Sequence, residues 1–478
     1  MRIARESSPE PTLTGFRLLP NGFYALDTRV QLVQRARDSL DLQYYLIQDD
    51  RTGRLLMRNL RDAALRGVRV RLLVDDLYTS GSDPMFRGLA AFPNVEVRLF
   101  NPFCCARQNI LSKYAASIGD VTRLNHRMHN KLFLADGAAA VMGGRNIADE
   151  YFTRSMYSNF VDMDIFVVGP VVRQLATIFD VYWNSAQAYP VDAIAGKPAD
   201  LAAARNDFDH FVDDGEQMMS ITLRPFDVLG YGPISDDLDA GRLGLLWGTA
   251  AAFADQPAKV MATSDEMARS MSVQMSIMDR VMMSKNEVLI SSPYFIPGPA
   301  GMLAFDELRR RNVKVAILTN SLAANDEPLA HIGYARYREG LLRAGVDLFE
   351  LSPARLGRNE RFAIPGSSLG RLHAKLAVID QSTVYIGSMN LDPRSESTNT
   401  EVGMLAECPE LAREVVRVMN LGKLQGSYRL RFAADGRSLE WLAIDDQREV
   451  VFSQEPEVKP FIRLETILLG PFVPEQLL

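Results

Sequence analysis

Cysteine is scarce in this sequence, and the few present are badly placed for bridging. The 478 residues hold three, Cys104, Cys105 and Cys408. Adjacent cysteines seldom pair with each other and an odd count builds no disulfide framework, so a reducing compartment is expected. No second Cys or His pair stands at ligand spacing, which argues against zinc. Long apolar runs are missing too. None reaches the roughly 18 residues of a membrane-spanning helix, and the opening MRIARESSPEP has no apolar core of a secretory signal. Nor is there an excess of positive charge. Lys and Arg total 53 against 59 Asp and Glu, a net charge of −6, whereas non-specific nucleic-acid binding needs a basic face. The remaining class is a soluble globular protein, 47% hydrophobic and 23% charged. It is too long for one ordinary core, so two or three domains or one double domain are expected.

Histidine is rare as well, five in all, yet two of the five sit in a pattern the chain writes twice. Residues 129–146 read HNKLFLADGAAAVMGGRN and residues 373–390 read HAKLAVIDQSTVYIGSMN. His, Lys, Leu, Asp, Gly and Asn recur at the same offsets, every pair 244 positions apart, as His129 and His373 are. With average residue usage, chance agreement of this kind is on the order of one in ten thousand or rarer. His126, His210 and His331 have no such counterpart and are read as ordinary core or surface residues.

The repeat extends upstream. SLDLQYYLIQDD (39–50) and NEVLISSPYFIPG (286–298) are strand-like, and each precedes a helical stretch, a basic turn and an apolar run, in 60–76 and in 305–320. NVEVRLF (94–100) and GVDLFEL (345–351) add a strand to each half. This alternation predicts an α/β unit with a mostly parallel sheet. After each motif the chain returns on a strand bearing an acid, DMDIFVVG (162–169) and EVGMLAE (401–407). The expected organisation is an N-terminal half over 1–197, a mostly helical connector over 198–260, a C-terminal half over 261–425 and an extension over 426–478. Two copies of this size point to a fused dimer with a pseudo-two-fold axis, near which residues meet their own counterparts.

The repeated residue types suit a phosphate. In a strand, residues two apart share a face, which puts His129 beside Lys131 and His373 beside Lys375, with Leu132, Leu134, Leu376 and Val378 turned to the core. The turns GGRN and GSMN bring Asn146 and Asn390 back beside them and add the Ser388 hydroxyl. Arg127 and Arg371 would place cationic charge at the rim. Lys and Asn donors stabilise phosphate oxygens, one imidazole can attack phosphorus and the other can protonate the leaving oxygen. The two lysines supply the positive field that Mg²⁺ covers elsewhere, so no metal or cofactor is expected. Each imidazole needs an acid to accept its other N–H, and Asp162 and Glu401 are the candidates. Asp136 and Asp380 lie at an odd offset from each Lys, off the His face, which suits a structural ion pair as well as a catalytic role.

H-x-K-x-x-x-x-D followed by G-x-x-N is the HKD signature of the phospholipase D superfamily, and both copies here resemble it. The surrounding stretches LDLQYYLIQDD, RGVRVRLLVDD, VRLFNPF, RLNHRMHNK, GGRNIADEYF, VDMDIFVVGP and DVYWNSA resemble the bacterial cardiolipin synthases, of the synthase C type. The resemblance covers about residues 15–478. It implies two phospholipase D-like α/β/α sandwich halves related by pseudo-two-fold symmetry with one shared active site, and a covalent phosphohistidine. It also implies His129 as nucleophile, His373 as general acid and then base, and Lys131, Asp136, Lys375 and Asp380 as their motif partners. Gly144 stands where the second copy has Ser388, so the halves are not chemically equal.

The implied reaction moves a phosphatidyl group onto phosphatidylglycerol to form cardiolipin, with phosphatidylethanolamine as a possible donor, at the cytoplasmic face of a bacterial inner membrane. A hydrolase of the same superfamily is the alternative. A nuclease is disfavoured by the acidic balance, and no nucleic-acid partner is expected. A lipid enzyme without a spanning helix must meet the bilayer through surface apolar groups. Two segments qualify: the insert 99–119, which carries Arg107 and Lys113, and the C-terminus 461–478; the alternative for each is that it packs on the body of the protein. Tyr44, Tyr45, Tyr294 and Phe295, at strand ends, are candidates either to line the lipid entrance or to pack in the core.

Overall fold

The computed structural model describes residues 8–103, 107, 109–115, 120–214, 225–262, 264–358, 368–445 and 448–469. Cys104, Cys105, much of the insert and the end of the C-terminal tail lie outside them.

Each half builds the same sheet. Strands Ser39–Tyr44, Arg69–Asp75 and Val95–Phe100 run parallel, connected by the helices Arg51–Leu65 and Asp83–Ala90. In the second half Glu287–Ser291, Lys314–Asn320 and Asp347–Leu351 repeat this arrangement. Local chemistry marks the boundaries: the Asp50 side chain caps the helix Arg51–Leu65 by accepting from Gly53 N at 2.9 Å. The motif strands join the sheet in the opposite sense. Leu132–Ala135 pairs antiparallel with Ser39–Tyr44 and with Ala139–Gly143, and Leu376–Ile379 does the same with Glu287–Ser291 and Thr383–Gly387. The expected mostly parallel sheet is therefore mixed. Helical crossovers allow parallel pairing only for the first three strands, while the tight turns after Ala135 and Ile379 permit only antiparallel neighbours.

Residues 198–260 depart from the helical connector expected there. They hold helices Leu201–Asp213 and Ile234–Asp239, but end in the nine-residue strand Leu246–Ala254. Its first part pairs with Thr14–Leu19, Gly15 opposite Trp247, and the rest pairs with Val402–Glu407, Ala250 opposite Ala406. One strand thus stitches the two half-sheets into a continuous one. Alanine-rich composition hid it, because Ala carries little strand signal.

Apolar packing forms three layers. Leu42, Leu56 and Val70 belong to the outer core of the first half, and Ile290, Phe305 and Leu348 to that of the second. Between them a shared core contains Leu132, Leu134, Leu376 and Val378 together with Phe179 and Val415, from the helices Pro170–Trp183 and Pro409–Gln425. The segments before the motif strands meet over this central layer.

Candidate active site

His129 and Lys131 stand just ahead of the strand Leu132–Ala135, and His373 and Lys375 just ahead of Leu376–Ile379. These segments pair with the opposite half instead of their own sheet. His373 N donates to Val161 O at 2.8 Å, at the end of a short parallel ladder between Leu369–Leu372 and Ser158–Val161. On the other side His129 N donates to Thr400 O at 2.9 Å, beside the bridge of Met128 with Thr400. The residue after each acceptor is an acid, and each acid takes the imidazole just delivered to it. Nδ1 of His373 lies 2.6 Å from Asp162 Oδ2, and Nδ1 of His129 lies 3.0 Å from Glu401 Oε2. The two expected orienting acids are therefore present, but crossed: each histidine is held by the acid of the other half. Such a bond fixes the tautomer with Nε2 free for chemistry.

The lysines mirror each other. Lys131 Nζ donates to His129 O at 2.7 Å and Lys375 Nζ to His373 O at 2.6 Å. All four side chains are buried, and Lys375 acts electrostatically on His129 as Lys131 does on His373, so the halves face one site. Burial and the two ammonium groups push both imidazoles down, His373 to about 4 and His129 well below its usual value, which favours the neutral form of each. Burial also lowers Lys375 to about 8 and Lys131 well below the usual lysine range.

The acids differ. Burial raises Glu401 to about 7, against the opposing pull of Lys131, Ser388 and Ser395. Burial would also raise Asp162, but His373 and Lys375 outweigh it and hold the carboxyl well below the usual range. The Gly144–Ser388 difference follows this asymmetry. A Cβ on Gly144 would come within 2.1 Å of Asp162 Oδ1, while the Ser388 hydroxyl donates to Glu401 Oε2. Ser388 is thus committed to the acid, contrary to the phosphate contact expected of it. Asn146 Nδ2 donates to Tyr151 OH at 2.9 Å, and Asn146 and Asn390 each leave Oδ1 without a protein partner.

Several expected residues go elsewhere. Asp136 Oδ1 accepts from the backbone N–H of Asp38 at 2.8 Å and of Ser39 at 3.0 Å, and Asp380 Oδ1 from Asn286 at 2.7 Å and Glu287 at 3.1 Å. Both carboxylates fasten the turn entering a neighbouring strand, four residues along the motif strand from the histidine end. They are neither in the site nor in an ion pair. Their φ of 53° and 48° is the left-handed conformation Asp tolerates in a turn. Arg127 is buried and not at the rim, paired with Asp75 at 3.1 Å. Arg371 is half-buried in Leu369–Leu372. Tyr44 and Phe295 join the core, while Tyr45 sets its ring edge-on to His129 with centroids 5.0 Å apart. Tyr294 OH donates to Asp326 at 2.9 Å, and the charge of Asp326 reaches Lys375.

Sequence reasoning missed Tyr151, Ser395, Phe160, Asp255 and Lys259. Tyr151 and Phe160 pack on the His373 ring at 5.1 and 4.8 Å. Ser395 Oγ donates to Glu401 Oε1 at 2.9 Å. Buried Lys259 bridges Asp255 Oδ2 at 2.7 Å and Ser395 O at 2.9 Å, and Glu401 N donates to Asp255 at 3.1 Å. One signal was available: Tyr151 and Ser395 both stand five residues after the motif Asn.

Comparison with known proteins identifies the family. The family model described as "Cardiolipin synthase, PLD-like domain" matches residues 30–183 and 277–421. The chain belongs to the cardiolipin synthase, phospholipase D-like family. Cardiolipin synthase C of Escherichia coli (strain K12) is 38% identical over 468 residues, 96% of each chain. An uncharacterized protein of Helicobacter pylori (strain 26695) is 29% identical over 473 residues, 96% of this chain and 89% of that one. Among solved structures, the phosphatidylserine synthase of Haemophilus influenzae Rd KW20 superposes over the full length of both chains with a TM-score of 0.60 at 13% identity, a likeness of fold. This member of the phospholipase D superfamily thus has two phospholipase D-like halves, with one copy of the motif in each.

Proposed function

We propose that this enzyme is a phosphatidyltransferase that forms cardiolipin by moving a phosphatidyl group onto the hydroxyl of phosphatidylglycerol, with phosphatidylglycerol or phosphatidylethanolamine as donor. The observation that carries the reading is the crossed pair of imidazole–carboxylate bonds beside two buried lysines. His129 Nε2 attacks phosphorus as the bond to the head-group oxygen breaks. His373, which takes up a proton at Nε2 when the anionic phosphate binds beside it, gives that proton to the departing oxygen, and the same histidine then takes the proton of the incoming hydroxyl. Lys131, Lys375 and the amides of Asn146 and Asn390 hold the phosphate oxygens. Asp162, and Glu401 with Ser388 and Ser395, fix the imidazoles. The protein works as a peripheral protein on the cytoplasmic face of the inner membrane. Purified full-length protein on mixed phosphatidylglycerol and phosphatidylethanolamine vesicles, with products read by mass spectrometry, is expected to accumulate cardiolipin. Phosphatidic acid as the sole product would replace transfer by hydrolysis.

The depressed lysine gives a pH dependence. A phosphodiester stays anionic across the neutral range, and Lys375 is cationic only below its pKa of about 8. Attraction for the substrate is present below that value and lost above it. With a soluble short-chain substrate, kcat/KM is expected to fall as pH rises through about 8. A profile flat to pH 9.5 would mean the lysine keeps its ordinary value near 10.4.

A further inference from the structure

We propose that the bilayer-contacting surface is an apolar rim on both flanks of the histidine pair, made by Tyr78 and Leu111 on one side and Met156, Tyr157 and Leu369 on the other. This inference rests on the phospholipid reading of the site and names the surface that reading requires. Among the described residues no helix is long and apolar enough to cross a membrane, so a substrate with two acyl chains must be met at the surface.

The rim is tied to the chemistry by short chains of contact. On the first flank the Tyr45 ring lies 5.0 Å from His129 and 5.4 Å from the ring of Tyr78, which is 46% exposed. Leu111, 80% exposed, sits on the short helix Ile110–Ala115, and that helix is fastened to the same turn as Tyr78. Lys113 Nζ donates to Asp76 O at 2.8 Å and to Thr79 Oγ1 at 3.0 Å. On the second flank Phe160 packs on His373, and Tyr157, three residues earlier, lies about 10 Å along the chain at strand spacing. Tyr157 is 86% exposed and Met156 70%, and Tyr157 O accepts from the N–H of Leu369, itself 45% exposed. Isolated exposed apolar residues are ordinary. Apolar groups at both edges of a lipid-processing site are not, and Tyr suits the zone where apolar and wet regions meet.

The same structure states how the attachment works. The insert's cations are spent internally. Arg107 holds Asp76 at 2.6 Å and Asp83 at 2.7 Å, and Lys113 is buried. Among the described residues of the insert expected to dip into lipid, Phe100 and Phe103 are fully buried, and Leu111 is the large apolar side chain that stands out. On this flank attachment is therefore apolar and not a basic patch reading anionic lipid, and binding should survive salt.

The test is co-sedimentation of the full chain with vesicles of phosphatidylcholine alone, in 0.1 and 0.5 M salt. Wild type is expected to bind in both. Met156→Ser/Tyr157→Ser/Leu369→Ser should lower the partition coefficient by about 10- to 100-fold, with the unfolding temperature moved by no more than about 2 °C. A Tyr157→Trp variant gives a second readout, in which brominated lipid is expected to quench the new indole. Unchanged binding of the triple variant with no quenching at position 157 overturns the proposal. So does binding confined to anionic vesicles and lost in salt, or a loss that instead follows Phe461→Ser/Leu468→Ser on the C-terminal helix Pro460–Leu469, where both side chains are exposed. Cardiolipin formation is read separately: a rim that binds vesicles without that product would leave this surface in place and remove the transfer reading.

Discussion

Alanine at His129 is expected to lower phosphatidyl transfer by roughly 10⁴-fold or more, because residues that act as a unit lose nearly everything when one is removed. Alanine at His373 should do comparable damage with a natural lipid, and the double variant should be little worse than the more damaged single one. A substrate with a good leaving group separates the roles. A short-chain phosphatidyl p-nitrophenol needs no proton on its departing oxygen. In His373→Ala, His129 Nε2 can still form the P–N bond as the P–O bond breaks. One equivalent of nitrophenolate should then appear in a burst, and the phosphatidyl group should remain on the protein, since no base is left to activate an acceptor. His129→Ala should give neither burst nor adduct. The mirror-image result would exchange the roles. Full activity in either variant would end the model of one site shared between two halves.

How much of this was legible in the sequence depends on which forces are local. The motif pair, its lysines and the strand carrying each were readable because strand period and repeat spacing are properties of short segments. Leu132 and Leu376 reached the shared core as the pattern implied. The acids Asp162 and Glu401 were readable as residue types, but their crossed assignment was not. It follows from backbone ladders between halves, His373 N to Val161 O and His129 N to Thr400 O, which no local pattern encodes. The same limit explains the errors. Arg127, Arg107 and Lys113 read as surface cations until the tertiary fold supplied Asp75 and Asp76. Asp136 and Asp380 read as site acids because they belong to the signature. Their repetition reflects a repeated turn, in which each carboxylate gathers backbone N–H groups. The strand Leu246–Ala254 was hidden for a different reason: its composition is weak and its pairing joins elements far apart in the chain.

The two orienting acids should respond differently to neutralisation. Asp162→Asn replaces an acceptor with an amide that can donate to His373 Nδ1 and stabilise the wrong tautomer. A loss of roughly 10³- to 10⁴-fold is expected, as for the corresponding change in a serine protease triad. Because Asp162 is held well below the usual carboxylate range, it is ionised throughout pH 6–9, and the ratio of wild-type to variant kcat/KM should not change with pH. Glu401 is different, being raised to about 7. Below that value the wild-type carboxyl is largely protonated. Its O–H can donate to His129 Nδ1, leaving the proton on Nε2, where the nitrogen cannot attack. Glutamine at 401 mimics that state at every pH. The wild-type to Glu401→Gln ratio should therefore be smallest near pH 6, grow as pH rises through 7 and level off above about 8. The Lys375 limb acts on both enzymes and cancels in the ratio. If the Glu401→Gln ratio is as flat as that of Asp162→Asn, then Glu401 does not control the tautomer of the attacking histidine. The asymmetry between Gly144 and Ser388 would then be a matter of packing alone.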